Sequence, residues 1–343
     1  MPGKSLRESL KAQYNYLMLS QTEVDRCFLE TSLNATDEIR YIHASVYSIL
    51  TVFGSILNIL LLIVIKAEWK RLYESNFYSF VVCLCCSSLT YLLPNYLIMV
   101  PCTAFKCDFY RDEVMVIFSA FNTVGYYTSL FVTFAITAER FVLFFVRSLH
   151  FGFSRHVLKI VAATWLGGFA MLAFTVVLGC FKRFNRHTFQ YTFFCSECES
   201  GSKTLSDGLF ILGQSLPGLM LSAYAAIFLK VLAFQFTVIC TFQWFSAFFF
   251  YMVPRVFGTT QYGVMAMNVC GILNTAVNPI VLFLFNSRIK NGFSKRLRFR
   301  RSTVISSLNN HPSMTHMNTH HGGRPTTSTA FPRSRSISTN VAN

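Results

Sequence analysis

The chain has 343 residues, of which 53% are hydrophobic, 13% are charged and 37 are phenylalanine. This composition is too apolar and too poor in charge for a soluble globular domain, so we expect a protein embedded in a lipid bilayer. The formal net charge is +15, and ten Lys or Arg but no Asp or Glu follow residue 285, so most of this charge lies at the C-terminal end.

Seven apolar runs are each long enough to cross a bilayer, which takes roughly 20 mostly apolar residues. In chain order the runs are 44–65, 77–100, 114–145, 157–180, 209–229, 231–253 and 262–285. They predict an all-α membrane protein, with a seven-transmembrane helix bundle over residues 44–285. A single residue separates the fifth run from the sixth, so these two helices are expected to be nearly fused.

The basic residues predict the orientation, because short loops rich in Lys and Arg stay on the cytoplasmic side. Basic residues cluster on one side of the predicted bundle: Lys66, Lys70, Arg71, Arg147, Arg155, Lys159 and those within 288–301. The N-terminal segment 1–43 is therefore expected outside, in a multi-pass protein of the plasma membrane. The loop 181–203 is an exception, since it carries four basic residues on the outer side against Glu197 and Glu199.

Asn34, followed by Ala35 and Thr36, is the one Asn-x-Ser/Thr acceptor in the chain with a permitted middle residue. It lies in the segment that the charge distribution places outside. The two signals agree, so we predict N-glycosylation at Asn34.

Cysteines are found both inside the runs and in the loops between them. Those inside the runs are read as small packing residues: Cys83, Cys85, Cys86, Cys240 and Cys270. Cys102 and Cys107 precede the third run, Cys195 and Cys198 precede the fifth, and all four face an oxidising compartment. We expect one disulfide between these two loops. The Cys195–Cys198 spacing resembles half a zinc site, but no second pair supports it, and neither a metal nor a cofactor is predicted.

Five landmarks occur in order along the runs. They are Gly54 with Asn58 in the first run, Glu139-Arg140-Phe141 at the end of the third, Trp165 in the fourth, Pro217 in the fifth and Asn278-Pro279 in the seventh. Together they resemble the rhodopsin-like family of G-protein-coupled receptors, and the resemblance covers residues 46–293.

The resemblance implies an activation switch. Glu139 would hold Arg140 in an ion pair at rest, and release would let the guanidinium donate to backbone carbonyls of a heterotrimeric G protein. Pro279 lacks a backbone N–H, so the seventh helix would bend beside Asn278. Trp244 would be the deep aromatic switch of the sixth helix. A helix end at the interface and an ordinary proline kink are the plain structural alternatives.

Several positions depart from the family pattern, and three of them argue against a particular kind of ligand or ion site. Cys86 stands where a second-span Asp anchors sodium, and Asn122 stands where amine receptors carry an aspartate. Ile272 replaces the retinal-binding lysine of visual pigments, and Leu282 replaces a tyrosine. Met115 occupies the place of the third-span disulfide cysteine, which leaves Cys102 or Cys107 as the donor.

The third cytoplasmic loop is almost absent. Lys230 is the only charge in residues 209–253, and a turn near 229–236 contains no Gly, Pro, Asn or Asp. Below Trp244 the sixth helix has residues enough only to reach the membrane face, roughly 20 Å at 1.5 Å per residue. This argues against the usual cavity for a G protein. A shortened receptor, a fast-diverging one and a missing coding segment all fit this pattern.

The outer halves of spans three, six and seven should form the ligand pocket. The predicted lining is aromatic and amide-bearing, without acidic side chains: Asn122, Tyr126, Trp244, Phe248 and Tyr251. Such a lining suits a small, mostly uncharged ligand. The basic outer loop could instead attract an acidic ligand or a peptide.

The chain after the last span divides into two parts. Residues 286–301 predict a short, basic amphipathic helix lying on anionic lipid headgroups. Residues 302–343 are polar and without apolar period, so they are expected to be a disordered cytoplasmic tail. Ser334, Ser336 and Ser338 lie near Arg333 and Arg335 and are candidate phosphorylation sites.

The Phe-rich spans, the absent second-span Asp and the Asn-Pro-x-x-Leu ending resemble the divergent nematode-type chemosensory receptors. A receptor for a small molecule is the predicted function, and a peptide or neuromodulator receptor is the alternative. A transporter or channel is disfavoured because no inverted repeats or polar stripes occur. An enzyme is disfavoured because no His/Glu/Asp or Cys/His set has catalytic spacing, and no nucleic-acid partner is expected.

Overall fold

A computed structural model describes most of the apolar part of the chain. The described residues are 35–72, 77–107, 110–146, 152–153, 155–178, 180–185, 188–195, 200–231, 234–257, 260–287 and 289–294. Several predicted features lie outside them: Asn34, Cys198, Ser334, Ser336, Ser338 and all of 295–343. The described part is mostly helical, as the sequence predicts.

Seven long helices account for most of the described residues. They are α1 Asp37–Ala67, α2 Phe77–Phe105, α3 Asp112–Phe145, α4 Val157–Val177, α5 Ser200–Val231, α6 Phe234–Phe257 and α7 Gln261–Phe285. Among the described residues, five helices are long and apolar enough to cross a membrane: α1, α2, α3, α4 and α7. The apolar parts of α5 and α6 are shorter, Ile211–Ile227 and Val238–Phe249.

The long helices form a closed bundle. α1 packs against α2, α2 against α3, α3 against α4 and α5, α5 against α6, α6 against α7, and α7 packs back against α1. Asn58 stabilises the closure, since its side-chain amide donates to the carbonyl of Gly54 (2.8 Å) and, across the interface, to that of Thr275 on α7 (3.0 Å). Because α3 packs against α2, α4 and α5, it lies in the middle of the bundle.

Many large apolar side chains point away from the bundle. On α1 the exposed fraction is 67% for Ile49 and 45% for Phe53, and on α4 it is 78% for Leu158 and 68% for Leu166. Contact of so many apolar side chains with water is unfavourable, whereas their contact with lipid chains is favourable. The packing thus agrees with the apolar helix lengths in indicating a membrane protein.

The central turn of α2 is a π-helix. The α-helix Phe77–Pro94 is followed by the π-helical segment Asn95–Met99 and by the α-helix Val100–Phe105. Pro94 and Pro101 cannot donate backbone hydrogen bonds, so the regular α-helical ladder is interrupted on both sides of this segment.

α2 ends in a tight turn that contains a disulfide. Lys106 and Cys107 have left-handed φ angles of 64° and 55°, and this turn brings Cys107 back to Cys102, to which it is bonded. The expected disulfide between this loop and that of Cys195 and Cys198 is therefore wrong, because both candidate donors are used locally. Cys180 is also disulfide-bonded.

A β-hairpin replaces the loop expected after the fourth helix, so the all-α prediction is wrong at this point. Strands β1 Cys180–Asn185 and β2 Gln190–Cys195 pair antiparallel, with Cys180 opposite Cys195 and Asn185 opposite Gln190. Asn185 closes the turn by accepting from the N–H of Thr188 (3.3 Å). We call the end of the bundle that carries this hairpin the hairpin end.

The chain continues as helix after α7. Residues 287 and 289–294 are helical, Ile289 is buried, and the ring of Phe293 lies 5.4 Å from that of Phe283 on α7. This is the described part of the predicted amphipathic helix 286–301.

Candidate functional site

A cavity opens between the helices near the hairpin end. Its volume is about 60 Å³, enough for several water-sized groups. α2, α3, β1, α6 and α7 all contribute to the lining: Ser88, Tyr91, Gly125, Tyr126, Tyr127, Ser129, Lys182, Ser246, Ala247, Met267, Gly271, Asn274 and Thr275. Hydroxyl groups and aromatic rings predominate, which suits a small ligand held by a few polar contacts.

Lys182 brings a positive charge to this cavity from strand β1. Its ammonium group donates a hydrogen bond to Oδ1 of Asn122 on α3 (2.6 Å) and lies 5.8 Å from the ring centroid of Tyr191. The Asn122 amide in turn donates to the backbone carbonyl of Tyr91 on α2 (3.5 Å). Burial lowers the pKa of Lys182 to about 7, because a charged amine loses hydration there.

Two glycines set the shape of the cavity wall. A Cβ added to Gly125 would lie 2.7 Å from the Cα of Tyr91 and 2.8 Å from the carbonyl oxygen of Ser87, so α2 and α3 can approach only without a side chain there. A Cβ on Gly271 would lie 2.8 Å from the hydroxyl oxygen of Tyr91. Both glycines therefore make room for Tyr91.

The hairpin turn is fixed to α1 and α7. Asn268 on α7 donates to the carbonyl of Phe189 (2.8 Å) and to the hydroxyl of Tyr47 on α1 (3.0 Å). The guanidinium of Arg40 lies 4.7 Å from the Phe189 ring centroid and donates to the carbonyl of Cys102 on α2 (3.1 Å). These contacts hold β1, and with it Lys182, in one position relative to the cavity.

Only some of the predicted pocket residues lie at the cavity. Tyr126 lines the cavity, and Asn122 lies behind it as the partner of Lys182. Trp244 and Phe248 stack on each other on α6, with ring centroids 5.7 Å apart, and are not in the cavity lining. The side chain of Tyr251 lies outside the described part of the structure.

Lys182 is the main residue that the pocket prediction omitted. Its basic neighbours predict an outer loop at this position, although Cys180, Lys182 and Phe184 alternate as residues of one strand face do. Reading 180–185 as a strand would have separated Lys182 from Arg183, whose side chain must lie on the other face. The strand pattern alone does not identify Asn122 as the hydrogen-bond partner of Lys182.

Glu139 and Arg140 form an ion pair near the other end of α3. Arg140 Nε lies 3.4 Å from Glu139 Oε2, and its guanidinium lies 4.5 Å from the ring centroid of Phe77 on α2. Glu139 is buried, with 5% of its surface exposed. Phe141 stacks on Phe145 with ring centroids 4.7 Å apart. We call this end of the bundle the Arg140 end.

Residues from α5 and α6 approach α3 close to the ion pair. Tyr224 on α5 and Cys240 on α6 both reach Thr137, three residues before Arg140. All three side chains are buried. A shift of either helix would therefore change the surroundings of Glu139 and Arg140.

The remaining landmarks lie in helix contacts. Asn278 is buried, and α7 continues through Pro279 to Phe285. Pro217 lies inside α5, and Trp165 on α4 packs against the main core with its ring 6.4 Å from Phe169. Within the described residues, no group of three or more His, Cys, Asp or Glu is arranged to hold a metal ion.

One family model matches the chain. It is described as "Protein of unknown function (DUF621)" and covers residues 30–238, more than half of the chain, from before α1 to the first turn of α6. No curated protein matches the sequence.

Proposed function

The chain belongs to the DUF621 family, and we propose that it is a seven-transmembrane receptor of the rhodopsin-like type, with a chemosensory role. It would bind a small molecule in the hairpin-end cavity and signal to a heterotrimeric G protein from the Arg140 end. One observation carries this proposal: α3 contributes both Asn122 beside the cavity and the Glu139–Arg140 ion pair. The two positions are 18 residues apart, or about 27 Å along the helix axis.

The proposal requires α5 and α6 to cross the membrane with the other five helices. α5 has 32 residues and α6 has 24, which correspond to about 48 Å and 36 Å, and a bilayer core is about 30 Å thick. Their packing into one closed bundle with α3 and α7 supports this assignment. The basic residues favour a plasma-membrane orientation with the N-terminus and the hairpin end outside.

In the proposed mechanism, ligand binding favours one of two arrangements of α3, α5, α6 and α7. The buried Glu139 carboxylate holds Arg140 at rest, and Phe77 covers the guanidinium. Movement of Tyr224 or Cys240 relative to Thr137 would disturb this pair and expose Arg140 to a partner. The ligand acts only to the extent that it binds one arrangement more tightly than the other.

The short connection between α5 and α6 restricts how a G protein can bind. Two residues separate Val231 from Phe234, and α6 has only about 15 Å of helix from Phe234 to Trp244, which leaves little length to project at the Arg140 end. The partner would thus contact Arg140 and the basic residues after α7 rather than long projections of α5 and α6. Anionic lipid headgroups would share that basic surface.

The test is a signalling assay with a matched pair of arginine variants. Cells expressing the full chain are exposed to a panel of small volatile and water-soluble compounds while cyclic nucleotides and calcium are measured. Arg140→Ala should abolish any response, because it removes the donor group that reaches the partner. Arg155→Ala removes an exposed arginine at the same end and should leave the response unchanged.

Surface expression of each variant is quantified in parallel by labelling intact cells. A response that persists in Arg140→Ala at equal surface level would refute the switch. No response from wild type at confirmed surface level across the panel would refute the receptor proposal, and compound uptake under the same conditions would indicate a transporter.

A further inference from the structure

Three helices meet at one level of the cavity wall. A Cβ added to Gly125 on α3 would lie 2.7 Å from the Cα of Tyr91 on α2, and one added to Gly271 on α7 would lie 2.8 Å from the Tyr91 hydroxyl oxygen. α2 begins beside Arg140, because Phe77 covers its guanidinium, whereas α3 and α7 begin at the hairpin end. Towards the Arg140 end, residue numbers therefore fall along α2 and rise along α3 and α7.

The cavity is polar on the side that faces the Arg140 end. One helical turn beyond the level of Tyr91, each of these three helices contributes a polar residue to the lining: Ser88, Ser129 and Asn274. We call these three residues the cavity floor. Serine hydroxyls and the asparagine amide are neutral and can both donate and accept hydrogen bonds. The floor thus offers several neutral hydrogen-bonding groups to one end of a ligand.

Ser88 is the member of the floor that points most directly to a ligand. Its exposed fraction is 1%, and among the described residues its hydroxyl oxygen has no hydrogen-bond partner. The neighbouring Ser87 differs, since its hydroxyl donates to the carbonyl of Leu84 (2.9 Å). A buried hydroxyl without a partner is unfavourable. Ser88 therefore favours a bound group that supplies the missing hydrogen bond.

We propose that the natural ligand is a small alcohol whose hydroxyl group donates to Ser88 Oγ and accepts from the amide of Asn274. This inference rests on the proposed function, since it assigns a chemical class to the ligand of that receptor. It narrows the expectation of a small, mostly uncharged ligand. The carbon atoms of the alcohol would lie against Tyr126 and Met267, which line the cavity nearer the hairpin end than the floor does.

A hydroxyl group matches the floor better than other neutral groups do. It can donate one hydrogen bond and accept another, so it can use the oxygen of Ser88 and the half-buried amide of Asn274 together. An ether or ketone oxygen only accepts, so the Ser88 oxygen would still lack a donor. A hydrocarbon would satisfy neither residue.

The cavity volume limits the size of the alcohol. About 60 Å³ accommodates a ligand of a few heavy atoms, so short-chain and small-ring alcohols are the appropriate probes. We would use 1-butanol with its isomer diethyl ether, and cyclopentanol with its isomer tetrahydropyran. The members of each pair have the same atoms, but only the alcohol can donate a hydrogen bond. Butyrate is added to test for an acid in place of an alcohol.

Binding is measured on the purified full-length protein in detergent by saturation-transfer NMR titration. At least one alcohol should bind wild type more tightly than its isomeric ether. Ser88→Ala should weaken binding of that alcohol by about 3- to 10-fold, the effect of one hydrogen bond, and leave the ether unchanged. Ser87→Ala is the matched control, because it removes a hydroxyl that is already bonded within α2 and should change neither.

Folding of each variant is verified by thermal unfolding without ligand. Ser88→Ala should unfold at the same temperature as wild type or higher, because it removes a buried hydroxyl that has no partner among the described residues. Partition of the probes into detergent is the same for all variants, so a difference between variants reports the cavity. The proposal is wrong if neither alcohol binds more tightly than its ether, if Ser88→Ala keeps the preference, or if butyrate binds more tightly than 1-butanol.

The outcomes separate this inference from the proposed function. Alcohol binding that depends on Ser88, without any cellular response, would overturn the receptor assignment and keep the alcohol site. Cellular responses that depend on Arg140 but not on Ser88 would keep the receptor and overturn the alcohol site.

Discussion

Lys182 links the hairpin to α3, since its ammonium group donates to Oδ1 of Asn122 (2.6 Å) and lies 5.8 Å from the ring centroid of Tyr191. Burial lowers the pKa of Lys182 to about 7 and raises that of Tyr191 above its usual value of about 10.

The pH dependence of stability follows from the lowered pKa of Lys182. An unfolded lysine titrates near about 10.4, so burial of the ammonium group destabilises the folded protein in full below about pH 7, and this penalty is lost as the pH rises towards about 10. The unfolding midpoint of wild type should therefore rise between about pH 7 and about pH 9.

The measurement is the unfolding midpoint of the purified protein between about pH 6 and about pH 9. Lys182→Met has no titratable group at this position and should give a flatter profile. A wild-type profile as flat as that of Lys182→Met would contradict the buried environment of Lys182.

Single residues also show how far sequence reasoning reaches. The Glu139–Arg140 pair, the role of Asn58 in helix packing and the place of Tyr126 near the cavity were expected from the resemblance of short motifs to a receptor family, since such motifs mark positions along each helix. The contact between Lys182 and Asn122 joins residues 60 positions apart. No local pattern specifies such a contact, since it depends on how the hairpin docks onto α3.

Among the structural elements, the helices were predictable and their ends were less so. Five of the seven apolar runs each lie within one helix, whereas the run 157–180 ends in β1 and the run 231–253 begins at the last residue of α5. α1 begins at Asp37 and α5 at Ser200, well before the predicted spans. The first residues of both helices are largely polar. Thr36 caps α1 by accepting a hydrogen bond from the N–H of Ile39 (3.5 Å). A search for apolar residues cannot detect a helix that continues beyond the apolar region.

The hairpin was missed for a different reason. Residues 180–185 and 190–195 contain basic and polar residues among aromatics, a mixture that is also typical of an irregular basic loop. The turn has Phe189 at a φ of 55°, a conformation usually taken by glycine or asparagine, so the usual turn signal was absent. Contacts of the turn with α1 and α7 compensate for this strained position.

The turn at the end of α2 gives a direct test of the disulfide assignment. Trypsin cleaves after Lys106 and Arg111, so Cys107 falls in the peptide 107–111, separate from Cys102. Without reduction, this peptide should be joined to the one that ends at Lys106, and mass spectrometry should detect the linked pair. Reduction before digestion is the control and should release both peptides. Linkage of 107–111 to a peptide containing Cys195 or Cys198 would contradict the structure.

At the scale of the whole molecule, the orientation can be tested at Asn34. If the hairpin end is outside, Asn34 enters the lumen of the secretory pathway during synthesis and should be glycosylated. Glycosidase treatment should then increase the electrophoretic mobility of wild type but not of Asn34→Gln. Asn34→Gln is preferable to a change at Thr36, which caps α1. Identical mobility of treated and untreated wild type would argue against the predicted orientation.

The whole-molecule fold was predictable only in part, because helix order does not determine helix packing. Apolar length and basic residues predict membrane helices and their direction. The central position of α3 and the close approach of α2 depend on Gly125, whose significance appears only when Tyr91 lies against it. The cavity is a product of this packing, so its exact lining was beyond sequence reasoning.

The two-residue interval between α5 and α6 has a mechanical consequence. Three Cα–Cα steps of 3.8 Å join Val231 to Phe234, so these two helix ends can never be more than about 11 Å apart. α6 cannot swing outward there unless α5 follows. The two helices are joined at the Arg140 end. Any change in the angle between them therefore moves their opposite ends furthest, and those ends lie beside the hairpin.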